Sequence, residues 1–119
     1  MSYDVKAYVN GEWCEGDSSG QNLNPATGEL LGTYPIMSIA ATVSAIDAAD
    51  RAFVSWRQTP APKRAAVVFK AMHLMIERQE SLAEALCLEQ GKTLADARGE
   101  VQKSINILEF IAGEGRRIN

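Results

Sequence analysis

The sequence contains few of the side chains that build metal centres and nucleophilic sites. Its 119 residues include one histidine, His73, and two cysteines, Cys14 and Cys87. His73 falls within an apolar stretch, which favours a core or groove position over catalysis, and without a second histidine a histidine-based metal site is disfavoured. The cysteines lie far apart without metal-ligand spacing, and nothing near Cys14 supplies a base for a nucleophile. We interpret both as structural thiols in a reducing, cytoplasmic setting.

Long apolar runs and clusters of positive charge are equally scarce. No apolar run is long enough to span a bilayer, and residues 1–6 lack the apolar segment of a signal peptide. The formal net charge is −3, and no basic cluster stands out beyond the terminal Arg116-Arg117. We therefore expect neither nucleic acid nor a membrane surface as a partner.

Phosphate-binding loops are missing as well. No Gly-x-Gly-x-x-Gly motif follows a predicted strand. The run Gly91-Lys92-Thr93 is similar to the end of a nucleotide-binding P-loop, but Leu86 stands where that loop requires its first glycine. The run therefore predicts a turn between two helices, and the sequence predicts no catalytic and no cofactor-binding residue in this chain.

Residues 1–37 have the pattern of a β region. Asn10-Gly11 lies between two short β-prone runs, residues 7–9 and 12–14, and predicts a hairpin because both turn residues tolerate positive φ. Residues 16–20 read as a polar loop, followed by a short strand at Asn22-Leu23. A second extended segment is predicted over residues 30–35, and the β content ends there.

Residues 38–119 predict four helices. Ser38 is a suitable N-cap for the first, the prolines of residues 59–62 separate the first from the second, and Gly91 ends the third. Thr93 and Asp96 resemble a capping box at the start of the fourth. Apolar residues recur at helical spacing in all four: Val43, Ile46, Ala49, Phe53 and Trp56; Ala65, Val68, Met72 and Met75; Leu82, Ala85 and Leu86; Leu94, Ala97, Val101, Ile105, Leu108 and Ile111.

Three expectations follow from these apolar faces. We expect Phe53 and Trp56 to be buried core anchors of the first helix. The helical faces are wider than the few strands can cover, so the chain is expected to be a piece of a larger α/β protein. We also expect isolated chains to self-associate through Ile105, Leu108 and Ile111.

Several motifs, taken in order, resemble the N-terminal segment of the aldehyde dehydrogenase superfamily. The likeness covers essentially the whole chain and includes Asn-Pro-Ala-Thr-Gly-Glu at residues 24–29, Trp56, Pro62-x-Arg64 and Leu-Glu-Gln-Gly-Lys at residues 88–92. The last of these, with Glu-Gly-Arg-Arg-Ile at residues 114–118, is most similar to the succinate-semialdehyde dehydrogenase branch. The resemblance implies that residues 1–119 form the start of an incomplete dinucleotide-binding domain: an α/β fragment with a β region at 1–37 and a helical region at 38–119.

The resemblance also implies an activity for the parent protein. The family oxidises aldehydes to acids with NAD or NADP, using a cysteine nucleophile and a glutamate base. These groups lie beyond the equivalent of residue 119, and neither Cys14 nor Cys87 matches the nucleophile motif. We therefore expect the fragment alone to be inactive. The parent is expected to take a small aldehyde as substrate and to form a homo-oligomer.

One binding site is implied by the same resemblance. Many relatives hold a structural monovalent cation, and the matching positions here are the backbone carbonyls of Asn22 and Leu23 and the carboxylate of Glu89. Hard oxygen ligands suit such an ion. Glu89 as a surface or capping carboxylate is the alternative. The resemblance also brings Lys103 close to the substrate tunnel, where it would attract an anionic substrate; a solvated lysine is the alternative.

A second reading of the whole chain is a non-enzymatic, helical protein-interaction module that binds a partner through its apolar helices. The two readings differ in what the gene encodes after Asn119. A continuing reading frame with a Gly-Gln-x-Cys type segment favours the dehydrogenase, and a natural stop codon favours the module.

Overall fold

Four short strands form the first part of the structure. The computed structural model describes residues 4–115 and Arg117. The strands are β1 (Ala7–Val9), β2 (Glu12–Cys14), β3 (Ser18–Leu23) and β4 (Leu30–Ile36). They form two antiparallel two-stranded sheets, β1 with β2 and β3 with β4.

The first hairpin is confirmed at the predicted turn. Asn10 and Gly11 have φ values of 52° and 87°, the positive pair that a tight hairpin turn needs. Across the hairpin Tyr8 pairs with Trp13, and their ring centroids are 4.9 Å apart. This aromatic pair adds a favourable cross-strand contact, although both rings are largely exposed.

The second hairpin corrects the prediction of a polar loop over residues 16–20. β3 already begins at Ser18, which pairs with Ile36, and Gly20 pairs with Tyr34. A Cβ at Gly20 would lie 2.3 Å from Cζ of Tyr34, so the glycine leaves the space that the tyrosine ring fills. Cross-strand packing of this kind outweighs the weak strand preference of serine and glycine.

The turn at residues 24–29 closes the second hairpin. The Asn24 side-chain oxygen accepts a hydrogen bond from the Ala26 N–H (2.9 Å), and the Asn24 carbonyl accepts one from Gly28 (2.7 Å). Gly28 has a φ of 75°. Asn24 is buried because its polar groups are used within the turn.

Four helices follow, as predicted. They are α1 (Ile39–Trp56), α2 (Ala61–Glu77), α3 (Gln79–Gln90) and α4 (Leu94–Glu114). None of the helices in the described part of the chain has the length and hydropathy that crossing a bilayer requires.

The helix ends follow the predicted signals. The Ser38 side chain accepts a hydrogen bond from the Ala41 N–H (3.3 Å), and Gly91 ends α3 with a φ of 66°. Thr93 caps α4 by accepting from the Asp96 N–H (3.2 Å), while its hydroxyl donates to the Asp96 carboxylate (2.7 Å). The short aspartate thus bonds the cap's hydroxyl, where a capping-box glutamate bonds the cap's backbone N–H.

The described chain forms two compact units, which divide between Gln58 and Thr59. In the second unit, α2, α3 and α4 pack around a core of small and medium side chains: Met72, Ala83, Ala97, Val101 and Ile105. Ala83 and Ala97 are 0% exposed, and their size allows α3 and α4 to approach closely.

In the first unit, the prediction that Phe53 and Trp56 are buried anchors is wrong. Phe53 is 53% exposed and Trp56 44% exposed, and the one buried residue of α1 is Ala48, at 8% exposed. The β1–β2 hairpin faces the alanine side of the helix, where Ala48 and Ala52 line a depression with Tyr8. The short hairpin therefore covers the side of α1 that has small residues, and the large apolar side stays exposed.

The apolar face predicted for α4 is the buried face, except at Ile111 near the C-terminal end of the helix. Ala97, Val101, Ile105 and Ala112 are buried, with Leu94 and Leu108 packed against the core. Because Ile105 is already in this unit's own core, the prediction that it contacts a second copy is wrong. Ile111 is 54% exposed, and it shares the opposite side of the helix with Ile107 (47% exposed) and Phe110 (69% exposed). We call these three residues the outer face of α4.

Candidate functional site

The two carbonyl ligands predicted for a cation lie at the end of β3. The pairing of β3 with β4 is irregular between Asn22 and Leu23: Asn22 pairs with Gly32, but Leu23 pairs with Leu30. The residue left out of this pairing is Leu31, so the bulge lies on β4, opposite Asn22 and Leu23.

The third predicted ligand, Glu89, lies in the other unit. It occupies the last turn of α3, two residues before Gly91, and it is exposed. Asn22 and Leu23 belong to the first unit and Glu89 to the second, so the complete site stays a prediction. Among the described residues, no group of three or more His, Cys, Asp and Glu side chains is arranged to hold a metal ion.

The two cysteine thiols face backbone carbonyls. Cys14 Sγ donates to the Ala7 carbonyl at 3.5 Å, and Cys87 Sγ donates to the Lys92 carbonyl at 3.0 Å. Both residues are half-buried and neither forms a disulfide. Each thiol is therefore engaged in a contact with the backbone, which fits a structural role for both cysteines.

His73 lies on the surface of α2, and the prediction that it occupies the core or a groove is wrong. Its Nδ1 is 2.7 Å from the Phe69 carbonyl one turn earlier and donates to it. His73 has apolar neighbours in the sequence, but the neighbouring residue Met72 is the one whose side chain is buried.

The turn at Gly91-Lys92-Thr93 joins α3 to α4, as predicted. The Lys92 ammonium group forms an ion pair with the Glu100 carboxylate on α4, and the Lys92 side chain is only 20% exposed. The lysine charge is therefore neutralised within the protein, unlike that of a phosphate-binding lysine.

An ion pair between α3 and α4 was not foreseen from the sequence. Arg98 donates to both carboxylate oxygens of Glu80, with Nε 3.0 Å from Oε2. These bonds lower the pKa of Glu80 and raise the pKa of Arg98. The residues are 18 positions apart in the sequence and both are about half exposed, so no local pattern predicts that they pair.

A second unforeseen interaction holds the start of α1. Asp17, in the loop after β2, accepts a hydrogen bond from the backbone N–H of Ser38 at 2.8 Å. This bond lowers the pKa of Asp17, because it stabilises the charged carboxylate. Asp17 and the Ser38 side chain thus both supply acceptors near the helix N-terminus.

Comparison with known families matches most of this chain. The model of the aldehyde dehydrogenase family matches residues 13–119. The chain therefore belongs to the aldehyde dehydrogenase family, and it corresponds to an N-terminal segment of it.

Several of the individual relatives are enzymes named for semialdehydes. The chain is 46% identical over 116 residues to glutarate-semialdehyde dehydrogenase of Pseudomonas putida, covering 95% of this chain and 24% of that protein. It is similar to the crystal structure of succinate-semialdehyde dehydrogenase from Burkholderia pseudomallei, with a TM-score of 0.91 and 41% identity over 96% of this chain and 24% of that one.

A third relative was solved with its cofactor. The structure of a putative methylmalonate-semialdehyde dehydrogenase from Sinorhizobium meliloti, complexed with NAD, matches with a TM-score of 0.87 and 33% identity, over 98% of this chain and 24% of that one. The chain thus spans about a quarter of the length of the relatives it matches.

Proposed function

We propose that this chain is the N-terminal part of an NAD- or NADP-dependent dehydrogenase that oxidises a carboxylated semialdehyde to the dicarboxylic acid. The observation that carries the proposal is the chemistry shared by the relatives' names: glutarate, succinate and methylmalonate semialdehydes each have an aldehyde and a carboxylate. Succinate semialdehyde remains our candidate from the sequence motifs. Family membership favours this reading over a non-enzymatic interaction module.

The fragment alone is proposed to be inactive. Oxidation of an aldehyde needs a nucleophile, a base that activates water, and a nicotinamide that accepts a hydride. The thiols of Cys14 and Cys87 are engaged as hydrogen-bond donors to carbonyls, which supports a structural role for both. The nucleophile, the base and the cofactor contacts are proposed to lie in the remainder of the parent.

Assays on the parent and the fragment test both statements. The full-length parent would be assayed with succinate, glutarate and malonate semialdehydes and with uncharged aldehydes of equal length, using each nicotinamide cofactor. We expect the carboxylated substrates to have the higher kcat/KM. A preference for the uncharged aldehydes would contradict the substrate class. Fragment activity that disappears on Cys14→Ser or Cys87→Ser would contradict the inactive fragment.

Lys103 is proposed to attract the substrate carboxylate. It is exposed on α4, one turn before Ile107. In the parent, Lys103→Met is expected to raise KM for a semialdehyde about tenfold while leaving an uncharged aldehyde unaffected, because one charge-assisted bond is lost. Lys70→Met, at an exposed position on α2, is the matched control. An equal effect of Lys103→Met on both substrates would show a solvated lysine.

A monovalent cation is proposed to bind the carbonyls of Asn22 and Leu23 and the carboxylate of Glu89. The regular β3–β4 pairing is broken beside Asn22 and Leu23, which is compatible with the carbonyl half of the site. In the parent, sodium should raise the thermal midpoint more than choline at equal ionic strength, because binding to the folded state stabilises it. Glu89→Gln should abolish the difference, and Glu84→Gln, at an exposed position on the same helix, should keep it. Equal responses of Glu89→Gln and the unmodified parent would contradict the site.

We further propose a reducing, cytoplasmic location and a homo-oligomeric parent. The free Cys14 and Cys87 support the first statement. Sedimentation of the parent tests the second, and a monomer at micromolar concentration would contradict it.

A further inference from the structure

The turn of the first hairpin places an asparagine and a glycine side by side in an exposed position. Asn10 and Gly11 form the loop between β1 and β2, and both are exposed. A Cβ built on Gly11 would have no neighbour within 4 Å, so the rest of the described chain leaves this side of the turn open. Within residues 1–119, Asn10 is the only asparagine that is followed by glycine.

This residue pair has a chemistry of its own. The Gly11 amide nitrogen gives up its proton to solvent base and attacks the side-chain carbonyl carbon of Asn10. The bond from that carbon to the side-chain nitrogen breaks, and ammonia leaves. Water then opens the cyclic succinimide: opening at the side-chain carbonyl gives aspartate, and opening at the backbone carbonyl gives isoaspartate, which adds a methylene group to the main chain. Glycine favours the attack because it has no side chain beside the nitrogen.

The backbone of the closed turn is close to the geometry that the ring requires. The φ values of Asn10 and Gly11, 52° and 87°, are those of a type I′ turn. The ring needs a ψ of about −120° at Asn10, which is the value at the first central residue of a type II′ turn, where φ is about 60°. Asn10 therefore already has the required φ, and a flip of the peptide between Asn10 and Gly11 supplies the ψ. Glycine accepts the accompanying change in the sign of its own φ.

The rest of the hairpin does not have to open for this flip. Types I′ and II′ are both favoured connections of two-residue hairpins, so the pairing of Val9 with Glu12 is compatible with either turn. We propose that Asn10 is a site of spontaneous deamidation, and that the succinimide forms within the closed hairpin. The proposal is independent of the substrate class.

The isoaspartate product changes the packing of the first unit. A longer main chain in the turn no longer fits the register that pairs Val9 with Glu12. Asn10 lines a depression with Ala45 and Ala49 of α1, so the turn lies next to the alanine side of that helix. Formation of isoaspartate therefore loosens the β1–β2 hairpin and uncovers this side of α1.

Peptide mapping of the full-length parent after incubation at mildly alkaline pH tests the site. Trypsin cleavage after Lys6 and Arg51 gives one peptide that contains Asn10, Asn22 and Asn24. Fragmentation in the mass spectrometer locates each conversion. We expect Asn10 to convert, at a rate that rises with pH because the attacking nitrogen must lose its proton. Asn22 and Asn24 are internal controls that should stay intact, since a leucine follows the first and a proline, which has no amide proton, follows the second. An Asn10 that stays as intact as Asn22 would overturn the proposal.

Two variants of the parent test the closed-turn route and the product's effect. Trp13→Ala removes the ring contact with Tyr8, so the hairpin opens more often, and we expect it not to speed the conversion of Asn10. Faster conversion would show that the attack needs an open hairpin, and would overturn the closed-turn route. Asn10→Asp has the charge of the product without the added methylene group, and Asp-Gly keeps the turn. Hydrogen exchange of the hairpin amides should be faster in isoaspartate-rich protein than in Asn10→Asp, and equal exchange would overturn the loosening of the hairpin.

Discussion

Two isoleucines on α4, two residues apart, provide the sharpest test of the packing. Ile105 is 4% exposed and packs in the core with Val101 and Ala97, whereas Ile107 is 47% exposed on the outer face of α4. Replacing either by alanine removes the same three carbon atoms and has the same effect on helix propensity. The difference between Ile105→Ala and Ile107→Ala therefore measures burial alone.

The structure gives the expected size of each effect. At about 0.8 kcal/mol for each buried carbon, Ile105→Ala loses about 2.4 kcal/mol of transfer free energy. The cavity left among its neighbours adds to this, so a total near 3 kcal/mol is expected. Ile107 has about half of its side chain covered, and its removal leaves no closed cavity. We expect Ile107→Ala to cost about 1 kcal/mol.

Hydrogen exchange and urea denaturation measure both losses. Exchange of the α4 amides reports on this helix separately from α1, and urea unfolding followed at 222 nm gives the free energy with its m-value. Low protein concentration removes any contribution from association. Equal losses for the two variants, or a larger loss for Ile107→Ala, would refute the assignment of the two faces.

Other predictions address charge, exposed aromatic residues and association. The hydrogen bonds from Arg98 lower the pKa of Glu80, so the pair's contribution to stability is complete above the ordinary pKa of 4.5 and is lost as the pH falls below 4.5 through the folded-state pKa. Glu80→Gln should flatten this part of the curve of stability against pH, measured by urea unfolding. An unchanged curve would contradict the pairing. Phe53→Ala and Trp56→Ala should each lower the stability of the chain by only about 1 kcal/mol, since both side chains are about half exposed; a loss near 4 kcal/mol in denaturation experiments would show a buried face. Isolated chains should dimerise through the outer face of α4 in sedimentation experiments, and a monomer at high concentration would contradict this.

Local signals in the sequence identified the turns and helix ends correctly. Asn10-Gly11 and Gly91 have the positive φ values that their residue types permit at low cost, and Ser38 and Thr93 have side chains that accept hydrogen bonds from the next turn. Each of these features depends on residues within four positions of one another. The physical cause is therefore contained in the local sequence.

Features that depend on distant residues were not predicted. Ser18 joins β3 because it pairs with Ile36, and Arg98 finds Glu80 only after α3 and α4 pack. The burial of Phe53 was predicted incorrectly, because periodicity identifies an apolar side of a helix but not what covers it. The predicted cation site has the same difficulty, since its three candidate ligands lie in two different units.

The distribution of residue sizes explains why the large apolar side chains are exposed. No large side chain is fully buried among the described residues, and the most completely buried positions are alanines, Ala83 and Ala97. Alanine contributes little transfer free energy, but it allows helices to approach closely. Contacts within each unit therefore rely on close approach of small residues, while large apolar side chains such as Phe53 and Phe110 remain exposed. It follows that much of the hydrophobic stabilisation available to this sequence is realised only when those surfaces are covered, and that the isolated chain is less stable than the same residues within a complete dehydrogenase.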